Sequence, residues 1–131
     1  LEMRDAVTTD FGPTDYPPAP SQGAIGLEVA EEHASIEEIL GPMLDAETTT
    51  ACRAERAFMR ILEGGCTVPL GAYCQREGDV WAFYGWVGEI GGQQVIRDSQ
   101  TGPNPVEMAT SMAEEFIQSG ARELLTEPDD S

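Results

Sequence analysis

The sequence predicts an α+β fold: a three-stranded antiparallel meander sheet with helices packed on one face, preceded by a strand–helix segment. Two observations predict it. Strand-like runs at 67-TVPLGAYCQ-75, 80-VWAFYGWVGE-89 and 93-QQVIRDSQ-100 are joined by the short turn-rich links 76-REGD-79 and 90-IGG-92, and such links favour pairing of neighbouring strands in antiparallel order. Apolar residues at helical spacing flank this block on both sides, so the helices have a common sheet to cover.

The elements follow in order. Residues 1–20 hold Gly12, Pro13, Pro17, Pro18 and Pro20, which favour an extended, turn-rich path because proline lacks the amide donor a helix needs. In 22-QGAIGLEV-29, Ile25, Leu27 and Val29 alternate and predict a strand, loosened by Gly23 and Gly26. A helix is expected over 35-SIEEILGPML-44, with Ser35 and Glu38 at capping-box spacing and Ala34 and Ile39 as a hydrophobic staple. Gly41-Pro42 weakens its end.

A longer helix is expected from about Glu47 to Glu63. Ala51, Ala54, Phe58, Ile61 and Leu62 form its apolar face, Arg53, Arg56 and Arg60 lie largely opposite, and Glu55 and Met59 fall between. Gly64 and Gly65 stop it, since glycine reaches the left-handed cap conformation at little steric cost. Phe83, Tyr84 and Trp86 mark the middle strand as the core strand. A last helix over 104–119 carries Ala109, Met112, Ala113, Phe116 and Ile117 on one face; Gly120 ends it or permits a short continuation through Leu124 and Leu125.

Composition narrows the function. Among 131 residues, 24 are acidic and 7 basic, all seven of them arginine, for a formal net charge of −17. That field repels phosphates and anionic lipid heads, so neither nucleic acid nor a membrane surface is expected as a partner. The same charge argues against reading the strand aromatics as a base-stacking platform, which needs cations around it. The carboxylates are scattered and form no calcium loop. Cys52, Cys66 and Cys74 are odd in number and have no C-x-x-C spacing, and the single histidine, His33, is distant from them. No disulfide framework and no metal site are expected, and a reducing cytoplasm is the expected setting.

Cys66 stands apart. It follows two glycines at the corner between a helix pattern and a strand pattern, in 62-LEGGCTVPLGAY-73. Gly64 and Gly65 let the backbone approach a ligand closely, and a loop position leaves the sulfur reachable. A thiolate there is a strong nucleophile and forms a stable thioether with an electrophilic carbon. Cys52 on the helix and Cys74 in the strand read as small buried hydrophobes. Competing schemes fare worse: nothing orients His33 toward a thiol, and 64-GGCTVPLG-71 lacks the lysine and hydroxyl of a phosphate loop.

Taken together, 18-PAPSQGAIGLEV-29, 54-AERAFMRILEGGCTVPLGAY-73, 84-YGWVGEIGGQQVIR-97 and 114-EEFIQSGARELL-125 resemble the C-terminal part of hydroxymethylbilane synthase, also called porphobilinogen deaminase. The resemblance implies a tetrapyrrole-biosynthesis transferase that condenses four porphobilinogen molecules head to tail into a linear polypyrrole, releasing ammonia each time. It implies a covalent dipyrromethane cofactor held through a thioether on Cys66, with Gln22 and Gly23 beside it. Ser21 stands where that family usually has glycine. The family's catalytic aspartate and basic cluster lie in upstream domains, so the resemblance implies no catalytic residue within these residues and no turnover by them alone. It further implies that residues 1–44 form a hinge and a segment completing the upstream domain, and residues 45–131 the cofactor-anchoring domain. Cut off from that partner, residues 24–44 would expose the apolar face of Ile36, Ile39, Leu40 and Met43 and could mediate self-association. The competing expectation is a non-enzymatic acidic binding or assembly module that keeps the fold.

Overall fold

The structure, a computed structural model, describes residues 9–62 and 68–125. Three strands, β1 (Leu70–Glu77), β2 (Val80–Gly88) and β3 (Val95–Gly102), form one antiparallel sheet in the order β1-β2-β3. Register runs Leu70↔Val87 to Glu77↔Val80 on one side of β2 and Trp81↔Gly102 to Gly88↔Val95 on the other. The turn between β1 and β2 needs a left-handed residue, and Gly78 supplies it with φ of 61°.

The described residues also form four α-helices: α1 (Ala34–Leu40), α2 (Ala46–Ile61), α3 (Pro105–Gln118) and α4 (Ala121–Leu125). Asp45 caps α2 by accepting the amides of Glu47 at 3.1 Å and Thr48 at 3.4 Å, and Asn104 caps α3 through Glu107 N at 3.4 Å. Proline at the first position of α3 costs nothing there, because that amide has no helical partner. Gly120, at φ of 92°, separates α3 from α4.

The core lies between α2, α3 and the inward face of the sheet. Phe58 is its centre, with ring centroids 5.5 Å from both Phe83 on β2 and Phe116 on α3. Gly85 makes this packing possible: a Cβ there would sit 2.8 Å from Met112 Sδ and 2.9 Å from Phe58 Cζ. The outward face of the sheet carries Tyr73, Tyr84 and Trp86, all half-buried.

The meander and the helix layer agree with the sequence pattern. The expected strand over 22–29 does not form: residues 24–30 have no regular secondary structure and belong to no sheet. Alternation alone cannot make a strand, because the backbone amides and carbonyls need a neighbouring strand to pair with, and here Ile25 and Leu27 are exposed. The first helix is also shorter than expected. It closes at Leu40 and continues as a 3-10 turn over Gly41–Met43, since Pro42 cannot donate within an α-helix. Ser35 falls inside α1 instead of capping it; His33 occupies the cap position and makes no side-chain cap hydrogen bond. Ile36, Ile39 and Met43 remain exposed.

Candidate functional site

The site is built where the N-terminal segment crosses β1 and α2. This proline-rich segment forms no helix or strand and turns at residues 13–15 and 20–23, and three of its carbonyls find partners on the sheet. Trp86 Nε1 donates to Pro17 O at 2.8 Å, Ala72 N to Pro18 O at 2.9 Å, and Arg97 Nη2 to Asp15 O at 3.3 Å. Pro17 is buried by this contact. Gly71 allows it, because a Cβ at that position would collide with the Trp86 indole and with the Pro17 carbonyl.

Past the prolines, the segment turns at Ser21, the only non-glycine residue at positive φ among the described residues (63°). Its amide donates to Glu55 Oε2 at 2.7 Å, while Glu55 Oε1 accepts the Cys74 amide at 2.9 Å. Glu55 is buried, and it is the feature the sequence pattern concealed. The residue lies one helical turn from Ala51 and Phe58, on the apolar stripe of α2. A carboxylate at a core position, with no lysine in the chain to pair with it, is the signal that was there to read.

Burial raises the Glu55 carboxyl above its ordinary value of 4.5, against the lowering effect of the two amides. The sign of the consequence is fixed. Between 4.5 and the raised folded value, the unfolded chain binds fewer protons than the folded one, so this group's contribution to stability falls as pH rises through that window. Denaturation of the wild-type chain and a Glu55→Gln variant should therefore show wild type gaining stability relative to the variant as pH is lowered through this window toward 4.5. A difference independent of pH would contradict this.

Ser21, Gln22 and Gly23 share a cavity of about 420 Å³ with Cys52, Glu55 and Cys74. Ser21 Oγ is buried there without a hydrogen-bond partner among the described residues. Of the residues expected at the site, Gln22 and Gly23 thus line one cavity with the α2–β1 interface. Gly64, Gly65 and Cys66 lie outside the described residues. Gly23, at φ of 86°, and Ser21 give the turn its left-handed path. Serine pays a steric penalty there that glycine avoids, so Ser21→Gly should raise stability by roughly 0.5–1 kcal/mol, measurable by urea denaturation.

The two described thiols differ. Cys74 is buried, and its thiol is pushed up to about 12, by burial first and then by the charges of Glu55 and Cys52. Cys52 is half-exposed. Iodoacetamide at pH 8 should modify Cys52 in the native chain and reach Cys74 only after denaturant is added; peptide mapping separates the two. Among the described residues, no group of three or more histidine, cysteine or carboxylate side chains could hold a metal ion. No helix among them is long and apolar enough to cross a membrane.

The sequence profile of the C-terminal domain of porphobilinogen deaminase matches residues 49–118, from α2 through α3. The chain belongs to the porphobilinogen deaminase family. Individual relatives agree with this. The porphobilinogen deaminase of Synechococcus sp. (strain CC9311) is 40% identical over 111 residues, 83% of this chain and 35% of the relative. That of Maridesulfovibrio salexigens is 39% identical over 117 residues, covering 88% and 38%. That of Syntrophobacter fumaroxidans is 35% identical over 130 residues, covering 97% and 42%. The chain therefore spans about two fifths of the length of these porphobilinogen deaminases or less.

A dipyrromethane carries acidic side chains, and the cavity at Glu55 can be tested against it. None of the residues lining that cavity is a cation, and Glu55 presents a carboxylate. The described wall does not by itself fit a polycarboxylate group, which needs guanidinium or ammonium partners.

Proposed function

We propose that this chain is the cofactor-anchoring portion of a tetrapyrrole-building transferase, in which Cys66 holds a dipyrromethane primer as a thioether. The observation that supports it most is the membership of α2 through α3 in the porphobilinogen deaminase C-terminal family. Around it stands the G-G-C corner, whose glycines let a backbone approach a ligand closely while the sulfur supplies the nucleophile. Bound there, the primer would supply the growing end for the head-to-tail condensation of four porphobilinogen molecules. Gln22 and Gly23 form the neighbouring wall. The chain's own part is to tether and position. The acid–base chemistry and the cations for the pyrrole carboxylates belong to upstream domains, so no catalytic residue is assigned within this chain, and alone it is inactive.

On this reading, residues 1–44 are the hinge and the segment that completes the upstream domain, and residues 45–131 are the anchoring domain, in a cytoplasmic setting. Exposure of Ile39 at 71% and Met43 at 73% supports the idea that this first segment has lost a packing partner. When the chain is isolated the same face drives self-association. A monomer in sedimentation velocity at high concentration would contradict that part.

Complementation tests the main proposal. The chain is co-expressed with the upstream domains of the Synechococcus relative and assayed for porphobilinogen consumption. Consumption that requires both pieces and disappears in Cys66→Ser supports the reading. Consumption unaffected by Cys66→Ser overturns the anchor.

A further inference from the structure

We infer that Glu55 is a latch: its carboxylate ties the N-terminal segment to the sheet domain and sets the backbone path of residues 19–23, and with it the placement of Gln22 and Gly23 on the cavity wall. The inference stands on this chain's geometry and does not require Cys66 to carry anything.

The carboxylate accepts two main-chain amides from elements far apart in sequence. Ser21 N lies 2.7 Å from one oxygen, and Cys74 N lies 2.9 Å from the other. One side chain on α2 thus bridges the N-terminal segment and strand β1. Amide bonds to a charged acceptor are shorter and stronger than neutral ones, and neither amide belongs to a strand pair at that point. Cys74 is on the edge strand, whose free side faces the segment. Residues 17 and 18 are pinned independently by Trp86 Nε1 and Ala72 N, through carbonyls. Beyond Pro18, local turns hold the segment to itself, through Gln22 N to Ala19 O at 3.0 Å and Ala24 N to Ser21 O at 3.1 Å. Glu55 is the attachment that fixes this turn to the body of the domain.

The left-handed turn at Ser21 fits the same role. It points an amide inward at the carboxylate, and an L residue adopts φ of 63° there only when surrounding contacts hold it. Removing the carboxylate should release residues 19–24 as a unit while the Phe58 core stays closed. That makes Glu55 a positioning residue for Gln22 and Gly23.

The test is amide hydrogen exchange, resolved by NMR, on the full chain and on Glu55→Ala. The variant should exchange Ser21 N–H on the order of 10- to 100-fold faster, the range for losing a hydrogen bond to a charged acceptor. Amides of Phe83 and Met112 should change by no more than a few-fold. Unchanged Ser21 exchange overturns the latch; an equal rise at Ser21, Phe83 and Met112 assigns Glu55 to global stability and overturns it as well. Where Glu55→Ala does not fold, the wild-type chain decides. Its Ser21 and Cys74 amide proton shifts should titrate together in one step above the ordinary carboxyl value of 4.5, and that shared step should vanish in Glu55→Gln. The other titratable groups on the Glu55 cavity are Cys52 on α2 and Tyr73 and Cys74 on β1; burial pushes the Cys74 thiol up to about 12, and the Glu55→Gln control separates the carboxyl step from all three. Independent or absent titration of Ser21 contradicts the latch. Failure of cofactor attachment at Cys66 would show in mass alone and leaves these exchange readouts untouched.

Discussion

Phe58→Ala should cost about 3–5 kcal/mol of unfolding free energy, the range for removing a buried aromatic ring from a packed core. The ring is fully buried and touches both layers, 5.5 Å from Phe83 and 5.5 Å from Phe116 between centroids. Its loss removes apolar burial and two ring contacts at once. Gly85 shows how tightly the site is filled, because even a methyl group there would press on Phe58 Cζ at 2.9 Å. Neighbouring side chains cannot collapse far into such a space without moving α2 away from the sheet. A domain of this size has roughly 5–15 kcal/mol in total, so the variant should sit at the edge of unfolding at room temperature. Urea denaturation followed by far-ultraviolet circular dichroism measures it. A loss under 1 kcal/mol would mean that Phe58 is not the centre of the core.

Gly71→Ala should detach the N-terminal segment while sparing the core. The added Cβ meets the Trp86 indole on one side and the Pro17 carbonyl on the other. The Pro17 carbonyl is backbone and cannot rotate aside as a flexible side chain would. Segment and sheet must separate, which breaks the bond from Trp86 Nε1 to Pro17 O and loosens that from Ala72 N to Pro18 O. Overpacking and lost hydrogen bonds of this kind cost roughly 1–3 kcal/mol. Trp86 is half-buried beneath the segment, so its release should shift tryptophan emission to longer wavelength, with Trp81 as the unchanged internal reference. Emission identical to wild type would show that the segment rides over a Cβ without moving.

The two effects fall on parts of the chain that were unequally legible in the sequence. Periodicity exposed the meander and both long helices, because inward residues such as Phe58, Phe83, Met112 and Phe116 repeat with the period of their own element. The strap across the sheet left no such trace. Pro17 and Pro18 act through main-chain carbonyls, and an acceptor that every residue possesses has no side-chain signature. Gly71 did stand in the sequence, but inside a strand a glycine reads only as a weakness until the approaching backbone is seen. Alternation at Ile25, Leu27 and Val29 predicted a strand, and pairing failed because the described chain offers no neighbour to those residues. Ser35 was misread as a helix cap since capping depends on where α1 begins, and it begins at Ala34, two residues before the start that a Ser35 cap requires.

The candidate site divides in the same way. Gln22 and Gly23 came from the resemblance to porphobilinogen deaminase, and the structure sets them on one cavity with Cys52 and Cys74. Glu55 escaped because helical periodicity treats a carboxylate between apolar neighbours as a boundary residue. Its role depends on two amides, Ser21 and Cys74, that lie 34 and 19 residues away along the chain. Cys66 was the most legible residue chemically, through the glycines before it, and it lies outside the described residues.

The most direct measurement is the intact mass of this chain purified after co-expression with the upstream domains of a relative, followed by mapping of the peptide that holds Cys66. An added mass of two linked pyrroles on that peptide, absent in Cys66→Ser, is the expected result for a cofactor-anchoring domain. An unmodified mass with Cys52, Cys66 and Cys74 all free would contradict it.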